Sequence, residues 1–280
     1  MKKTFVTILA LSLLLILFGC SNKSSSTGSG DAASEPVKIV VAATLDPHSR
    51  ILEYVKPILA EQGYDLEIRV LDDYYVFNKL LDDGEIDANY FQHIPFFNGE
   101  VEANGYEITN VAGVHIEPFG FYSKTISSVE ELSDGATIII SNNVAEYGRV
   151  LSILDKAGVI TLKDDFDVFN ATLNDIAENP KNLVFTEVKP ELLTTAYDND
   201  EGELIAINGN YALQAGLNPT KDAVILEQAD ATNPYVNVLT VRIGTENDPK
   251  IVALANALKS DAVKQFILDT YADGSVIPAQ

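Results

Sequence analysis

Side chains able to do chemistry are few in this chain. Histidine occurs three times, at His48, His93 and His115, and the only cysteine is Cys20. No His-x-x-x-His pair, Gly-rich phosphate loop or Gly-x-Ser-x-Gly elbow is present, so the common metallohydrolase, nucleotide and serine-hydrolase signatures are missing. Carboxylates abound, with 41 Asp and Glu against 19 Lys and Arg, yet no pair stands out for acid–base work. Zinc takes nitrogen and oxygen ligands, so gathering the histidines with nearby acids remains an alternative that only the fold can decide. The simpler expectation is structural: His48 falls in the first turn of a helix, and His115 follows an apolar run. The chain therefore reads as a non-enzyme without cofactor or metal. A net charge of -22 repels nucleic acid, and no nucleic-acid partner is expected.

Two asparagines occupy unusual settings. Asn237 interrupts the strand-like run PYVNVLTV, where a buried amide needs partners. Asn208 lies in INGNY, a setting that equally suits a turn.

The elements that must position such residues alternate between strand and helix. Val37 to Thr44 is a short β-branched run suited to a buried strand. Asp46 offers a helix N-cap and Pro47 a first helical residue. Apolar residues then recur at helical spacing until Gly63. Further strands are expected at Asp65 to Leu71, Ile86 to Tyr90, Thr137 to Ser141, Leu183 to Val188, Glu203 to Ile207 and Pro234 to Arg242. Helices are expected up to about Asp82 and at Ala145 to Ala157, Pro190 to Tyr197 and Pro249 to Thr270. This alternation predicts an α/β fold with mostly parallel sheets. A faint echo relates Val37 to Val55 and Ala136 to Leu154: strand, polar turn, then a helix carrying Arg50 and Leu52 or Arg149 and Leu151. It suits two lobes that each aim a strand-to-helix turn at a shared cleft.

The N-terminal stretch has a different character. Lys2 and Lys3 precede an apolar run from Phe5 to Phe18 that is too short for a bilayer span of about 20 residues. Residues 1–19 are expected to be a signal peptide closing at Cys20, in the manner of a lipobox whose cysteine is acylated. Residues 20–36 are small and polar and read as a flexible tether. The expected location is the extracytoplasmic face of the cell membrane, held by the lipid.

Several long stretches carry a family resemblance: DPHSRILEYVKPIL from Asp46, DDGEIDANYFQHIPF from Asp82, VHIEPFGFYSK from Val114, INGNYALQAGLNPTKDA from Ile207 and PYVNVLTVR from Pro234. Together they resemble the methionine-binding, NlpA-type lipoproteins of ABC importers. The resemblance implies a two-lobe periplasmic-binding-protein-like fold of type II, with lobe 1 from 37–126 plus 232–280 and lobe 2 from 127–231. The chain would cross between lobes near Tyr122 to Ser127 and near Gln228 to Tyr235. It also implies a monomer that captures an amino acid, above all L-methionine, and delivers it to an ABC permease; a dipeptide or another amino acid is the alternative ligand.

By the same resemblance, SNNVAEYGR from Ser141 ends in the arginine, Arg149, that pairs with the ligand α-carboxylate. A guanidinium suits this because two parallel N–H bonds match a carboxylate. Asn208 and Asn237 would clamp the ligand's backbone end, while Tyr74, Phe91 and His93 would line its side-chain pocket. Thioether sulfur against ring edges contributes roughly 0.3 to 1.5 kcal/mol per contact, and burial of the side chain about 1.5 to 3 kcal/mol. The chain departs from the family pattern at Val144, Ala145 and Glu146, and again at Val76 and Phe77. An added carboxylate at Glu146 suits a longer or cationic ligand, or else simply complements the positive N-terminus of its helix.

Overall fold

The computed structural model describes residues 35–229 and 233–279. The expected signal peptide, Cys20 and all of the tether except Glu35 and Pro36 lie outside the described residues. In chain order the strands are β1 (Val37–Ala43), β2 (Tyr64–Val70), β3 (Ala88–His93), β4 (Ile108–Ile116), β5 (Gly120–Tyr122), β6 (Thr137–Ser141), β7 (Thr161–Leu162), β8 (Ile176–Glu178), β9 (Val184–Val188), β10 (Leu204–Ile207), β11 (Ile225–Leu226), β12 (Val236–Arg242) and β13 (Ile277–Pro278). The α-helices are α1 (Arg50–Ala60), α2 (Tyr74–Asp82), α3 (Ile94–Asn104), α4 (Val144–Lys156), α5 (Leu193–Asp198), α6 (Gly209–Gln214), α7 (Pro219–Asp222), α8 (Pro249–Leu258) and α9 (Asp261–Thr270). No helix among the described residues is long and apolar enough to cross a membrane.

Two sheets carry the architecture. The first runs β13-β4-β12-β3-β1-β2 and the second β11-β5-β10-β6-β9, with β7 and β8 forming a small separate hairpin. Parallel pairing is confined to β1 with β2 and β3, and to β6 with β9 and β10. The remaining ladders of both sheets are antiparallel, because β12 enters the first sheet, and β5 the second, against the direction of their neighbours. Each sheet is therefore mixed, with less parallel pairing than the strand–helix alternation predicts. The chain passes from one sheet to the other at residues 117–119, after β4, and returns in the segment between β11 and β12. β5 already belongs to the second sheet, so the first passage lies ahead of the expected Tyr122 to Ser127.

Three apolar clusters hold this together. One packs α1, α8 and α9 on the first sheet through Ile51, Val55, Leu254, Val263 and Ile267. Another packs α4 on the second sheet through Ile138, Ile140, Val150, Leu151 and Leu154. The third joins the two sheets, with Phe77, Phe91 and Phe96 from one side and Ile139, Ile205 and Tyr211 from the other.

Two helix boundaries differ from expectation for identifiable reasons. α1 starts at Arg50 rather than Pro47: Asp46 has extended backbone (φ -134°, ψ 131°), and its carboxylate accepts a hydrogen bond from Tyr271 instead of capping. The single helix expected over Pro249 to Thr270 is two, because Ser260 Oγ accepts from the Val263 amide at 3.3 Å and starts α9. Strand β4 and helices α3 and α6, not expected from the sequence, complete the frame of the site.

Candidate functional site

Three strand-to-helix turns aim at one place, where ligands of α/β proteins tend to bind. β3 ends at His93, which caps α3 as Nδ1 accepts from the Phe96 amide at 3.1 Å. With Nδ1 accepting, the His93 proton sits on Nε2 and points away from the helix. β6 ends at Ser141, and Asn143 caps α4 by accepting from the Ala145 amide at 3.1 Å. β10 ends at Ile207, and Asn208 is the cap position of α6. β12 adds a row across the first sheet, because Asn237 pairs in register with both His93 of β3 and His115 of β4.

Around this convergence lies a narrow cavity with about 30 Å³ of free space. Tyr74, Phe91 and Phe96 line its apolar end; Glu146, Arg149, Asn208, Asn210 and Asn237 line its polar end. All six binding residues expected from sequence, Tyr74, Phe91, His93, Arg149, Asn208 and Asn237, line this one cavity. Tyr74 stacks on Tyr211 with ring centres 5.0 Å apart and donates to Asn210 Oδ1. Phe91 stacks on Phe77 at 4.0 Å, so the departure at Phe77 supports the pocket floor from behind.

Arg149 and Glu146 stand three residues apart on α4, which puts both on one helix face. Gly148 fixes how that face is turned: a Cβ there would meet the Val168 carbonyl oxygen at 1.8 Å, so α4 lies directly against that backbone. Arg149 is only 4% exposed, and most of its guanidinium donors are already used. Nε and Nη2 donate to the two carboxylate oxygens of Glu227 at 3.1 and 2.6 Å, and Nη2 donates to the Glu117 carbonyl at 2.8 Å. Tyr235 packs its ring face 4.2 Å from the guanidinium carbon. The paired fork assigned from sequence to a ligand is thus occupied by Glu227, and Nη1 is what remains toward the cavity. Burial acts to lower the Arg149 pKa, but Glu227 and Glu146 outweigh it and raise it.

Glu146 is 1% exposed. Its Oε1 accepts from His93 Nε2 at 2.6 Å and from Asn208 Nδ2 at 3.1 Å. Burial acts to raise its pKa, yet His93, Arg149 and Asn208 prevail and hold it below the usual carboxylate range. It does more than complement a helix terminus. Of the other two departures on this turn, Val144 is exposed and Ala145 only partly buried.

The other two histidines belong to a neighbouring network. His48 Nδ1 bonds Thr44 Oγ1 at 2.6 Å and Nε2 bonds Asn237 Oδ1 at 3.0 Å. His115 Nε2 bonds Glu117 Oε1 at 2.9 Å, while its Nδ1 bonds the Tyr90 hydroxyl. His48, His115 and Glu117 have ligand-type atoms within 4.8 Å of one another, so the fold gathers two of the three histidines with an acid. Each ring nitrogen there already has a hydrogen-bond partner. Burial pushes the His48 pKa down to about 4 and that of His115 to about 3.

Glu117, Asn210 and Glu227 were missed in the sequence. Glu117 in VHIEP had a signal, being an acid at the end of an apolar run, and so did Asn210, the second asparagine of INGNY. Glu227 in ILEQAD had none.

A family model described as NlpA lipoprotein matches residues 39–280. The methionine-binding lipoprotein MetQ of Bacillus subtilis (strain 168) is 48% identical over 279 residues, covering 99% of each chain. Among solved structures, a nutrient-binding protein from Burkholderia cenocepacia bound to methionine superposes with a TM-score of 0.80 at 35% identity, covering 86% of this chain and 100% of that one. Lipoprotein Tp32 from Treponema pallidum does so with a TM-score of 0.80 at 33% identity, covering 86% and 99%. The chain belongs to the NlpA lipoprotein family.

Proposed function

We propose that this lipoprotein captures L-methionine in the cavity between its two sheets and delivers it to an ABC importer. One observation carries the reading. The six side chains singled out in the sequence share one cavity with an aromatic end and a charged, amide-rich end, the two halves of a methionine zwitterion. The methionine-bound Burkholderia neighbour supports the choice of ligand.

In this reading the ligand carboxylate meets Arg149 Nη1, and the thioether lies among Tyr74, Phe91 and Phe96. Asn208 and Asn237 hold the backbone end. A cavity of about 30 Å³ has room for only about two water molecules, so the ligand enters when the sheets swing apart and is enclosed when they close. The moving bodies are 37–116 with 236–279 and 120–226, hinged at the two passages between the sheets. The ligand leaves unchanged, and the protein acts as a monomer. Acylation of Cys20 holds it on the extracytoplasmic face of the membrane, with residues 20–36 as tether.

Mass spectrometry of whatever the purified, denatured protein releases, followed by calorimetry, tests the central statement. L-methionine recovered from the wild type and bound by it supports the reading. A dipeptide or a different amino acid replaces the ligand, and a metal with no organic molecule overturns the function. Palmitate labelling that persists in Cys20→Ser refutes the anchor.

A further inference from the structure

Several polar atoms in the cavity have no partner among the described residues, and together they have a pattern. Glu146 Oε1 is taken by His93 and Asn208, but Glu146 Oε2 is buried and unbonded. Asn208 Oδ1, on the same amide that donates to Glu146, is also buried and unbonded. The cavity therefore offers two unbonded acceptors on two hydrogen-bonded side chains, one of them anionic. Beside them stand donors: Arg149 Nη1 lies 3.9 Å from Glu146 Oε2, and Asn210 Nδ2 is buried without a partner. Buried polar groups are normally satisfied, and a carboxylate oxygen left without a donor carries a penalty that a cationic donor removes.

We propose that Glu146 reads the ligand's α-ammonium group, and that its closeness to Arg149 restricts the ligand to a free α-amino acid. This rests on the amino-acid-binding function proposed above and goes further, because it excludes N-blocked, deaminated and dipeptide forms of the same side chain. An ammonium group has three donors and no acceptor, which suits Glu146 Oε2 together with Asn208 Oδ1. In an α-amino acid both charges hang on one carbon, so neighbouring partners 3.9 Å apart can take both. In a dipeptide a further residue, spanning roughly 3.3 to 3.6 Å when extended, separates ammonium from carboxylate. One of the two charges then meets the wrong partner.

The decisive experiment is calorimetry on the mature lipoprotein in detergent. The ligands are L-methionine, 4-(methylthio)butanoate, N-acetyl-L-methionine and glycyl-L-methionine. The wild type is expected to prefer methionine to each of the other three by at least ~100-fold. Glu146→Gln is expected to lose about 30- to 300-fold in methionine affinity and little for 4-(methylthio)butanoate, so the preference collapses. A wild type that binds any of the three analogues within about threefold of methionine overturns the inference and leaves the proposed function standing. The inference also falls, with the function intact, if folded Glu146→Gln, checked by thermal melting, keeps the full preference. The wild-type series can overturn the inference even if the variant does not fold. A wild type that binds no α-amino acid at all overturns the proposed function, and this inference with it.

Discussion

The cavity cluster of Glu146, Arg149, His93 and Asn208 and the adjoining network of His48, His115, Tyr90 and Thr44 are both buried and polar, and they share a border at Asn237 and Glu117. They differ in completeness. In the histidine network every ring nitrogen has a partner, and burial keeps both rings neutral. In the cavity cluster charges are retained and buried atoms are left unbonded. A saturated network specifies packing, whereas an unsaturated one has been left for something else to complete. Counting unmet hydrogen bonds separates the two where burial and residue type do not.

The largest effect on this contrast is expected at Arg149. Arg149→Ala leaves Glu227 and Glu146 without their shared cation, and loss of one partner of a buried pair costs about 3 to 5 kcal/mol. Urea unfolding should show that loss, and calorimetry should show methionine binding weakened by about 1,000-fold or more. Retained binding in the folded variant would remove Arg149 from the site.

Acid tests the histidine network next. An unfolded histidine takes up a proton below about pH 6.5, whereas folded His48 stays neutral down to about pH 4. Between those values the unfolded state binds more protons, so stability is present above pH 6.5 and is lost as pH falls toward 4. His48 alone contributes about 3 kcal/mol of that loss. Glu117, whose carboxyl is raised chiefly by burial against the opposing pull of His48 and Arg149, works in the other direction above its ordinary range. Denaturant midpoints at pH 7, 5.5 and 4.5 check this; a flat profile would mean the rings are not neutral and buried.

Glu227→Gln should have a smaller effect. It keeps one acceptor oxygen but turns the other into an NH2 donor facing an Arg149 donor, and it removes the charge that holds Arg149 Nε and Nη2, so stability falls by about 1 to 3 kcal/mol. Methionine binding weakens by about tenfold as the Nη1 edge loses its aim. Val144→Ala should be nearly silent, within about 0.5 kcal/mol and without change in affinity, because Val144 is 72% exposed. A change in affinity there would mean that the start of α4, and not Glu146 alone, selects the ligand.

The lining of this cavity was foreshadowed mainly by the family resemblance, which supplied Tyr74, Phe91, His93 and Arg149. Only Asn208 and Asn237 also stood out through their own local setting. The role of Arg149 was only half legible. Its face on α4 follows from spacing, but Glu227 lies 78 positions further along the chain, and nothing in ILEQAD announces the pair. The fold shows the same division. Strands such as β1 and β6 announce themselves by β-branched runs, whereas β4 (ITNVAGVHI) breaks any period-2 alternation with Thr109–Asn110 and Val111–Ala112 and carries Gly113, so its sequence gives no clear strand signal. Antiparallel entry of β12 depends on a passage between sheets that no local pattern encodes.

Glu146 and Glu117 also differ in how freely they can change over generations. The side chains that Glu146 touches, His93, Asn208 and Arg149, all line the cavity. Glu117 is held by His115, and Gly209 packs so closely that a Cβ there would come within 2.8 Å of it. A lineage that meets a new nutrient can therefore change position 146 with less disturbance to the surrounding packing than position 117, and descendants of this protein should diverge in diet first at 146 and last at 117.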